Sequence, residues 1–582
     1  MNYKQEYERW LNDPSIDETT KKELKDLKGN EKEIEERFYT YLAFGTGGMR
    51  GVIGAGANRM NIYTVRKATQ GLANYIIAQG TQEKGAVIAY DCRRMSPEFC
   101  LEAALTLAAN NIPAYIFDSL RPTPALSFAV RYLKCTAGIV ITASHNPPEY
   151  NGYKCYWDDG GQAPYPRDAA ILDEVNKVEI SSIKTMERKA AEAANLLRIV
   201  GSEVDEAYYK AVLETRRRPE AADPELKIVY TPFHGTGNIP VRKVLEAAGY
   251  KSLFVVEEQA VPDPNFTTVP NPNPETYASF KMAEELAREK DADIILATDP
   301  DADRMGVAVK LVKDGKISYI PFTGNMTGVI LAGYLLEADK EKGVQKPNDC
   351  IITTIVSTDM TRVIAADFGV SYMEVLTGFK YFGEKCKEFE QSGSHKYIFG
   401  FEESYGCLAG DYARDKDAVQ AVMLLCEAAS YYAKSGKTLW DVMQELYKRY
   451  GYYKEYVESI TLKGLDGQSD IKRIMQGLRA EPPKELGEVK VTESRDYEAR
   501  ESLNKDGKHK IELPKADVVY YVLEDESWAC VRPSGTEPKI KLYFGTVVKK
   551  WKEYAEGEAM ADEKLETMAN ALRKTINEHV KI

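Results

Sequence analysis

Asp293-Ile-Ile-Leu-Ala-Thr-Asp-Pro-Asp-Ala-Asp-Arg304 decides how the fold is read. A short apolar run, too brief for a helix, passes straight into a loop of alternating acids, as a buried strand ending at a ligand site would. The same transition occurs upstream, where Gly138-Ile-Val-Ile-Thr142 runs into Ala143-Ser-His-Asn146. It occurs again downstream, where Tyr397–Phe399 leads into Gly400-Phe-Glu-Glu-Ser404. Each transition closes a block of alternating strand and helix patterns. The first block reads strand 86–90, helix from Ser96-Pro97-Glu98 to Ala109 with Ser96 as N-cap, strand 114–117, helix 123–133 and strand 138–142. The second reads 227–230, 239–248, 253–256, 277–290 and 293–297, and the third 351–356, 360–368, 372–375, 381–390 and 397–399. Such alternation predicts α/β layers on largely parallel sheets. Open sheets of this kind bind ligands beyond the carboxyl ends of their strands, so three polar loops are expected to wall one cleft.

The flanks differ from the blocks. Residues 1–40 read as two short polar helices, and the charged stretch 186–218 as a helical connection between the first two blocks. After about residue 455 strands are predicted at 518–523, 528–531 and 539–544, followed by a helix over 549–580. That pattern is an α+β module.

At about 150 residues per domain, a chain of 582 residues holds roughly four domains. Hydrophobic residues at 44% and charged residues at 29% are ordinary globular proportions, which excludes a disordered or fibrous chain. A net charge of −12 without a basic block excludes a nucleic-acid or anionic-membrane binder, so an anionic ligand needs locally gathered cations. No apolar run approaches the ~20 residues of a membrane span, and the first ten residues carry no apolar signal core. Nine scattered cysteines show no CxxC pair or metal spacing. A soluble, cytoplasmic, multidomain protein is expected.

Four loops could carry chemistry. Ser144 sits just past an apolar strand, placed to be a nucleophile or a phosphoryl carrier. The plainer alternative is an ordinary turn, and no G-x-S-x-G elbow surrounds it. Asp299, Asp301 and Asp303 can converge on a hard cation such as Mg²⁺, whereas three like charges beside a buried strand would otherwise repel. An EF-hand is excluded because Arg304 and Lys310 stand where it needs Gly and Glu. Glu402, Glu403 and Ser404 offer groups suited to vicinal sugar hydroxyls, or an acidic surface turn. Arg532-Pro-Ser534-Gly535-Thr536 has the content of an anion nest, or of a tight turn. The glycine-rich loop Gly45–Gly48 followed by Arg50 carries the same ambiguity, and Asp415 or Asp417 is placed to cap an apolar helix over 418–432.

Taken together, T-A-S-H-N-P at 142–147, D-P-D-A-D-R at 299–304, G-F-E-E-S at 400–404 and R-P-S-G-T-E-P at 532–538 resemble the α-D-phosphohexomutase superfamily, in its order and across essentially the whole chain. F-G-T-G-G-M-R-G at 44–51 and N-G-Y-K at 151–154 strengthen the resemblance. The sugar loop departs from the commoner G-E-x-S-G-H: Phe401 follows Gly400, and Tyr405 stands where a glycine is usual. This longer variant is similar to the bacterial branch related to eukaryotic phosphoglucomutases and phosphopentomutases.

The resemblance implies three related α/β domains and a TBP-like α+β domain around a central cleft. The implied boundaries are 1–205 with the phosphoserine loop, 206–319 with the metal loop, 320–455 with the sugar loop and 456–582 with the phosphate loop. It implies a phosphoryl group on Ser144 and Mg²⁺ held by Asp299, Asp301, Asp303 and a phosphoserine oxygen. Glu402 and Ser404 would contact sugar hydroxyls, and Arg532, Ser534, Gly535 and Thr536 would grip the phosphate that is not transferred. Arg50, His145, Lys154, Arg304 and Lys416 match the family's active-site positions, with Lys154 as the general acid/base. The implied reaction is an isomerase-class phosphoryl transfer between glucose 1-phosphate and glucose 6-phosphate through glucose 1,6-bisphosphate. Pentose or mannose phosphates are alternative substrates. A Mg²⁺-dependent phosphatase with Asp299 as nucleophile, or a non-catalytic sugar-phosphate binder, are readings of a different class. The sequence leaves monomer and dimer open.

Overall fold

A computed structural model describes residues 2–45, 48–462, 467–534 and 539–579. The chain divides into two compact units. The first comprises the residues up to Thr323 with Phe379–Ile398 and Ser404–Lys434, and the second comprises Gly324–Gly378, Phe399–Glu403 and the residues from Ser435. Among the described residues no helix is long and apolar enough to cross a membrane.

The first unit contains two sheets. One runs Phe44–Gly45, Gly48–Val52, Tyr150–Trp157, Ala137–Ile141, Ala86–Tyr90, Ala114–Phe117, Leu197–Val200. Its last four strands are parallel, as the alternation predicts. Its first three are antiparallel additions, so the sheet is mixed where a largely parallel one was expected. The added strand Tyr150–Trp157 is short of any helical partner in the sequence pattern, and it forms because it folds straight back from the serine loop onto Ala137–Ile141. Leu197–Val200 likewise corrects the helical reading of 186–218: helices Arg188–Ala193 and Ser202–Leu213 flank a strand that pairs with Ala114–Phe117. The N-terminal segment holds three helices, Tyr3–Asn12, Glu18–Asp26 and Glu31–Phe38, rather than two, each begun by an Asn or Asp N-cap.

The second sheet runs Lys316–Phe322, Met305–Lys313, Ile294–Thr298, Ile228–Thr231, Leu253–Val255. Ile294–Thr298 is buried at every position, which is why the sequence shows a continuous apolar run there rather than alternation. The hairpin Met305–Phe322 adds antiparallel strands to this sheet as well.

In the second unit Asp349–Thr354 and Ser371–Val375 pair in parallel around the helix Met360–Phe368, as predicted. The C-terminal module is a fully antiparallel sheet running from Tyr452–Thr461 through Lys539–Val548, Trp528–Pro533, Val519–Leu523, Val489–Asp496 and Glu501–Asn504 to Gly507–Lys510. Helices Gly467–Ala480 and Tyr554–His579 cover it, with Ile474, Leu478, Leu572 and Ile576 packed on Leu542 and Phe544.

Candidate active site

Ser144 follows the fully buried strand Ala137–Ile141 and is itself 3% exposed. Its backbone is left-handed, with φ 50°, a conformation that costs an L-residue roughly 1 kcal/mol and must be held by its surroundings. Its amide donates to Thr142 Oγ1 at 2.8 Å. Its hydroxyl donates to Asp299 Oδ2 at 2.7 Å and lies 3.2 Å from His145 Nδ1. Two loops 155 residues apart in sequence thus meet at one hydrogen bond.

Asp299, Asp301 and Asp303 are 0%, 0% and 2% exposed, and one carboxylate oxygen from each lies within 4.8 Å of the other two. Asp299 Oδ1 accepts the amides of Asp303 and Arg304 at 3.1 and 3.0 Å, which curls the loop around the carboxylates. Glycine at 235 permits this loop to pack: a Cβ there would stand 2.4 Å from Pro300 Cα. Asp301 Oδ1 and Asp303 Oδ1 are buried and make no hydrogen bond. Burial, then Asp301 and Asp303, push the Asp299 carboxyl well above its usual range. Three convergent acids with two orphaned buried oxygens fit a hard divalent cation.

Cations border these acids. Lys154 Nζ stands 2.7 Å from Asp301 Oδ2 and 3.4 Å from Asp303 Oδ2. Lys416 Nζ stands 3.1 Å from Asp303 Oδ2 and 2.9 Å from Asp415 Oδ1. Burial alone would lower the Lys154 ammonium, but Asp301 and Asp303 override it and raise its pKa, so it is protonated at neutral pH. Arg304 bridges to Glu275 at 2.5 Å. Arg50 donates to Asn146 Oδ1 of the serine loop at 2.9 Å. Burial, with the Arg304 and Arg50 charges, holds the His145 imidazole well below its usual pKa and therefore neutral.

Ser144, His145, Lys154, Arg50, Lys416, Arg304 and the three acids all fall in the first unit. Ser404 also belongs to it, while Glu402 belongs to the second, where its Oε1 accepts the Gly378 amide at 2.9 Å. The two unusual residues of this loop have structural reasons. Phe401 is buried against the helix Gly324–Glu341, where a Cβ on Gly328 would meet its ring at 2.4 Å. Tyr405 has a left-handed backbone, φ 70°, the conformation a glycine adopts without strain, and its carbonyl accepts the Met305 amide at 3.0 Å. In the second unit Arg532 is the penultimate residue of the strand Trp528–Pro533, and the Ser534 amide donates to the Lys539 carbonyl at 2.8 Å. Gly535 and Thr536 lie outside the described residues, as do Thr46 and Gly47 of the N-terminal glycine loop.

Several neighbours of the site escaped the sequence reading. Thr123 Oγ1 donates to Asp301 Oδ2 at 2.9 Å, and Asp415, read from the sequence only as a candidate helix cap, accepts Tyr156 Oη at 2.6 Å while anchoring Lys416. Asp91 and Arg93 lie beneath the serine loop. Asp91 and Thr123 follow the strands Ala86–Tyr90 and Ala114–Phe117, so the rule that singled out Ser144 and Asp299 would have found them had it been applied to every strand. Asp417, by contrast, caps the helix Ala418–Ala433 as expected, accepting the Gln420 amide at 3.0 Å.

Comparison with known proteins identifies the family. Models for phosphoglucomutase/phosphomannomutase match in order: α/β/α domain I at 41–181, domain II at 206–313, domain III at 323–450 and the C-terminal domain at 486–561. The four-domain α/β architecture implied by the motifs is therefore present. Phosphoglucomutase of Staphylococcus aureus strain MRSA252 is 38% identical over 530 residues, spanning 89% of this chain and 92% of the relative. Phosphoglucomutase of Staphylococcus epidermidis is 38% identical over 524 residues, spanning 89% and 94%. Two solved structures share the fold. One is a phosphoglucomutase/phosphomannomutase family protein of Burkholderia thailandensis, with TM-score 0.65 at 19% identity over 92% of this chain and 97% of that one. The other is parafusin, a phosphoglucomutase of Paramecium in its open form, with TM-score 0.66 at 16% identity over 94% and 96%. With four domain models matched in order and 38% identity carried across most of both chains, this chain belongs to the phosphoglucomutase/phosphomannomutase family.

Proposed function

We propose that the protein interconverts glucose 1-phosphate and glucose 6-phosphate, with Ser144 as phosphoryl carrier and glucose 1,6-bisphosphate as the intermediate. The reading rests above all on the 2.7 Å contact between Ser144 Oγ and Asp299 Oδ2, which sets a hydroxyl against a cation-binding acid cluster. Similarity to phosphoglucomutases selects glucose phosphates over mannose and pentose phosphates.

Asp299, Asp301 and Asp303, with a phosphoserine oxygen, would hold Mg²⁺, which when bound neutralises charge on the phosphoryl group. In the first half of the cycle the Ser144 Oγ–P bond breaks as a sugar oxygen bonds to phosphorus. In the second half the other phosphate returns to Ser144. In each half Lys154 gives a proton to the oxygen that leaves phosphorus and takes one from the hydroxyl that attacks it. The sugar attacks and Ser144 leaves in the first half, and the reverse holds in the second, so the ammonium is restored after each transfer. Arg50, Arg304 and Lys416 supply positive charge to the phosphate, and neutral His145 can hydrogen-bond it without adding charge. Glu402 and Ser404 read sugar hydroxyls, while Arg532, Ser534, Gly535 and Thr536 hold the distal phosphate. We assign one loop to each of four domains bounded at 1–205, 206–319, 320–455 and 456–582. Nine scattered cysteines without a CxxC pair accord with action in the reducing cytoplasm.

A phosphatase using Asp299 as nucleophile fits less well, because it leaves Ser144, whose hydroxyl lies 2.7 Å from Asp299 Oδ2, without a role. The deciding experiment is phosphorus NMR of glucose 1-phosphate with enzyme, Mg²⁺ and trace bisphosphate. Appearance of glucose 6-phosphate is expected. Release of inorganic phosphate in its place overturns the mutase reading.

A further inference from the structure

Beneath the serine loop lies an ion pair that no substrate could touch. Asp91 and Arg93 have fully buried side chains, with Arg93 Nε 3.3 Å from Asp91 Oδ2. The Arg93 fork is spent almost entirely on backbone. Nη1 donates to the carbonyls of Pro147 and Tyr150 at 2.8 and 3.0 Å. Nη2 donates to the carbonyl of Ser144 at 2.6 Å and to that of Asn146. One guanidinium therefore gathers four carbonyls of a single loop, and its face is closed by the Phe266 ring at 4.9 Å.

Asp91 works on the other side of the serine. Its Oδ2 accepts Thr142 Oγ1 at 2.6 Å, and Thr142 Oγ1 in turn accepts the Ser144 amide at 2.8 Å. The hydroxyl has one proton, so its donation to Asp91 fixes its lone pair towards that amide. Asp91 Oδ1 accepts the Arg93 amide and Ser96 Oγ, both at 2.9 Å. This second bond explains a local departure from expectation. Ser96 does not cap its helix: the cap falls at Met95, φ 62°, and Ser96 is the first helical residue with its hydroxyl turned to Asp91. A good capping residue has been diverted to hold a carboxylate.

We propose that Asp91, Thr142 and Arg93 are positioning residues that clamp the Ser144 peptide on both sides. The amide is held through Thr142, and the carbonyl is held directly by Arg93. Neither contact reaches the hydroxyl. Their effect is to impose the left-handed backbone at Ser144 and so fix the direction of Oγ towards Asp299. A carrier serine must present its oxygen in line with phosphorus in two successive transfers, and a small misplacement is costly. The inference rests on the carrier role proposed for Ser144 and adds what holds that residue in place.

Arg93→Ala removes a buried charge partner and can unfold the domain, so the test uses Thr142→Val, which is nearly isosteric and leaves the ion pair intact. Thr142→Ser restores the hydroxyl. Hydrogen exchange of the peptide covering residues 142–150 reads the clamp without reference to activity. Thr142→Val is expected to speed exchange there about tenfold or more, and Thr142→Ser to restore protection. In phosphoglucomutase assays Thr142→Val is expected to lose about 10- to 100-fold in kcat, with KM for glucose 1-phosphate within about twofold, and Thr142→Ser to recover most of the loss. Unchanged exchange in Thr142→Val overturns the clamp, whatever the wild-type enzyme catalyses. Faster exchange with an undiminished kcat overturns the positioning role. A wild-type protein without mutase activity would refute the proposed function and leave the exchange result to decide the clamp.

Discussion

Lys154 Nζ and Asp301 Oδ2 stand 2.7 Å apart although 147 residues separate them in the chain. The contact joins the strand Tyr150–Trp157 to the acid loop and places an ammonium beside the carboxylates proposed to hold the metal. Replacing Lys154 by Gln should therefore remove a proton donor without removing a metal ligand. Turnover is expected to fall about 10²- to 10⁴-fold, the usual contribution of general acid–base groups. Mg²⁺ affinity, measured by calorimetry, should not weaken. A large loss of Mg²⁺ binding in Lys154→Gln would mean that its charge organises the metal loop instead.

Ser144→Ala should abolish turnover while the fold survives, because the side chain is small and its removal opens no cavity of consequence. Intact mass supplies the check. After incubation with glucose 1,6-bisphosphate the wild-type protein should show a species about 80 Da heavier, and the variant should not. A variant that still gains that mass would place the phosphoryl group elsewhere.

Asp301 Oδ1 is buried without a hydrogen bond, so converting Asp301 to Asn should weaken Mg²⁺ binding by about tenfold or more. Isothermal titration of both proteins with Mg²⁺ measures this directly. High Mg²⁺ should restore part of the activity. Equal affinities would exclude Asp301 as a ligand.

Glu403 gives a pH signature. Burial, then the neighbouring Glu402 charge, raises its carboxyl to about 7. Its folded pKa thus lies above the unfolded value, so the folded state binds the extra proton and this group's stabilising effect is present at low pH. It is lost as pH rises from about 4.5 to about 7, and amounts to on the order of 1–3 kcal/mol. Glu403→Gln should flatten the fall in Tm across that window. A wild-type Tm that rises there, with no difference in the variant, would contradict the assignment.

Arg532 and Glu402 should separate phosphate reading from sugar reading. Arg532→Ala would remove the bidentate charge-assisted contact proposed for the distal phosphate, typically about 1.5–3 kcal/mol, so kcat/KM should fall roughly 10- to 200-fold, alike for glucose, mannose and pentose phosphates. Glu402→Gln should instead change the ranking of those sugars, because it alters an acceptor aimed at particular hydroxyls. Kinetics on three substrates would expose the reverse pattern if the roles are exchanged.

The sequence by itself determined the blocks and the loops that end them. Ala137–Ile141 and Ile294–Thr298 are buried on both faces, so their apolar character is continuous and their polar continuations stand out as Ser144 and Asp299. Two other strands left no such mark: Tyr150–Trp157 mixes polar with apolar residues, and Leu197–Val200 is a short edge strand whose partner Ala114–Phe117 lies far away in the chain. Tertiary structure alone decided that Ser144 Oγ meets Asp299, that Lys154 and Lys416 border the acids, and that Asp91 reaches Thr142. Residue types along a chain declare what chemistry is available. Distances between side chains more than 50 residues apart depend on how the strands pair, and no local propensity encodes that.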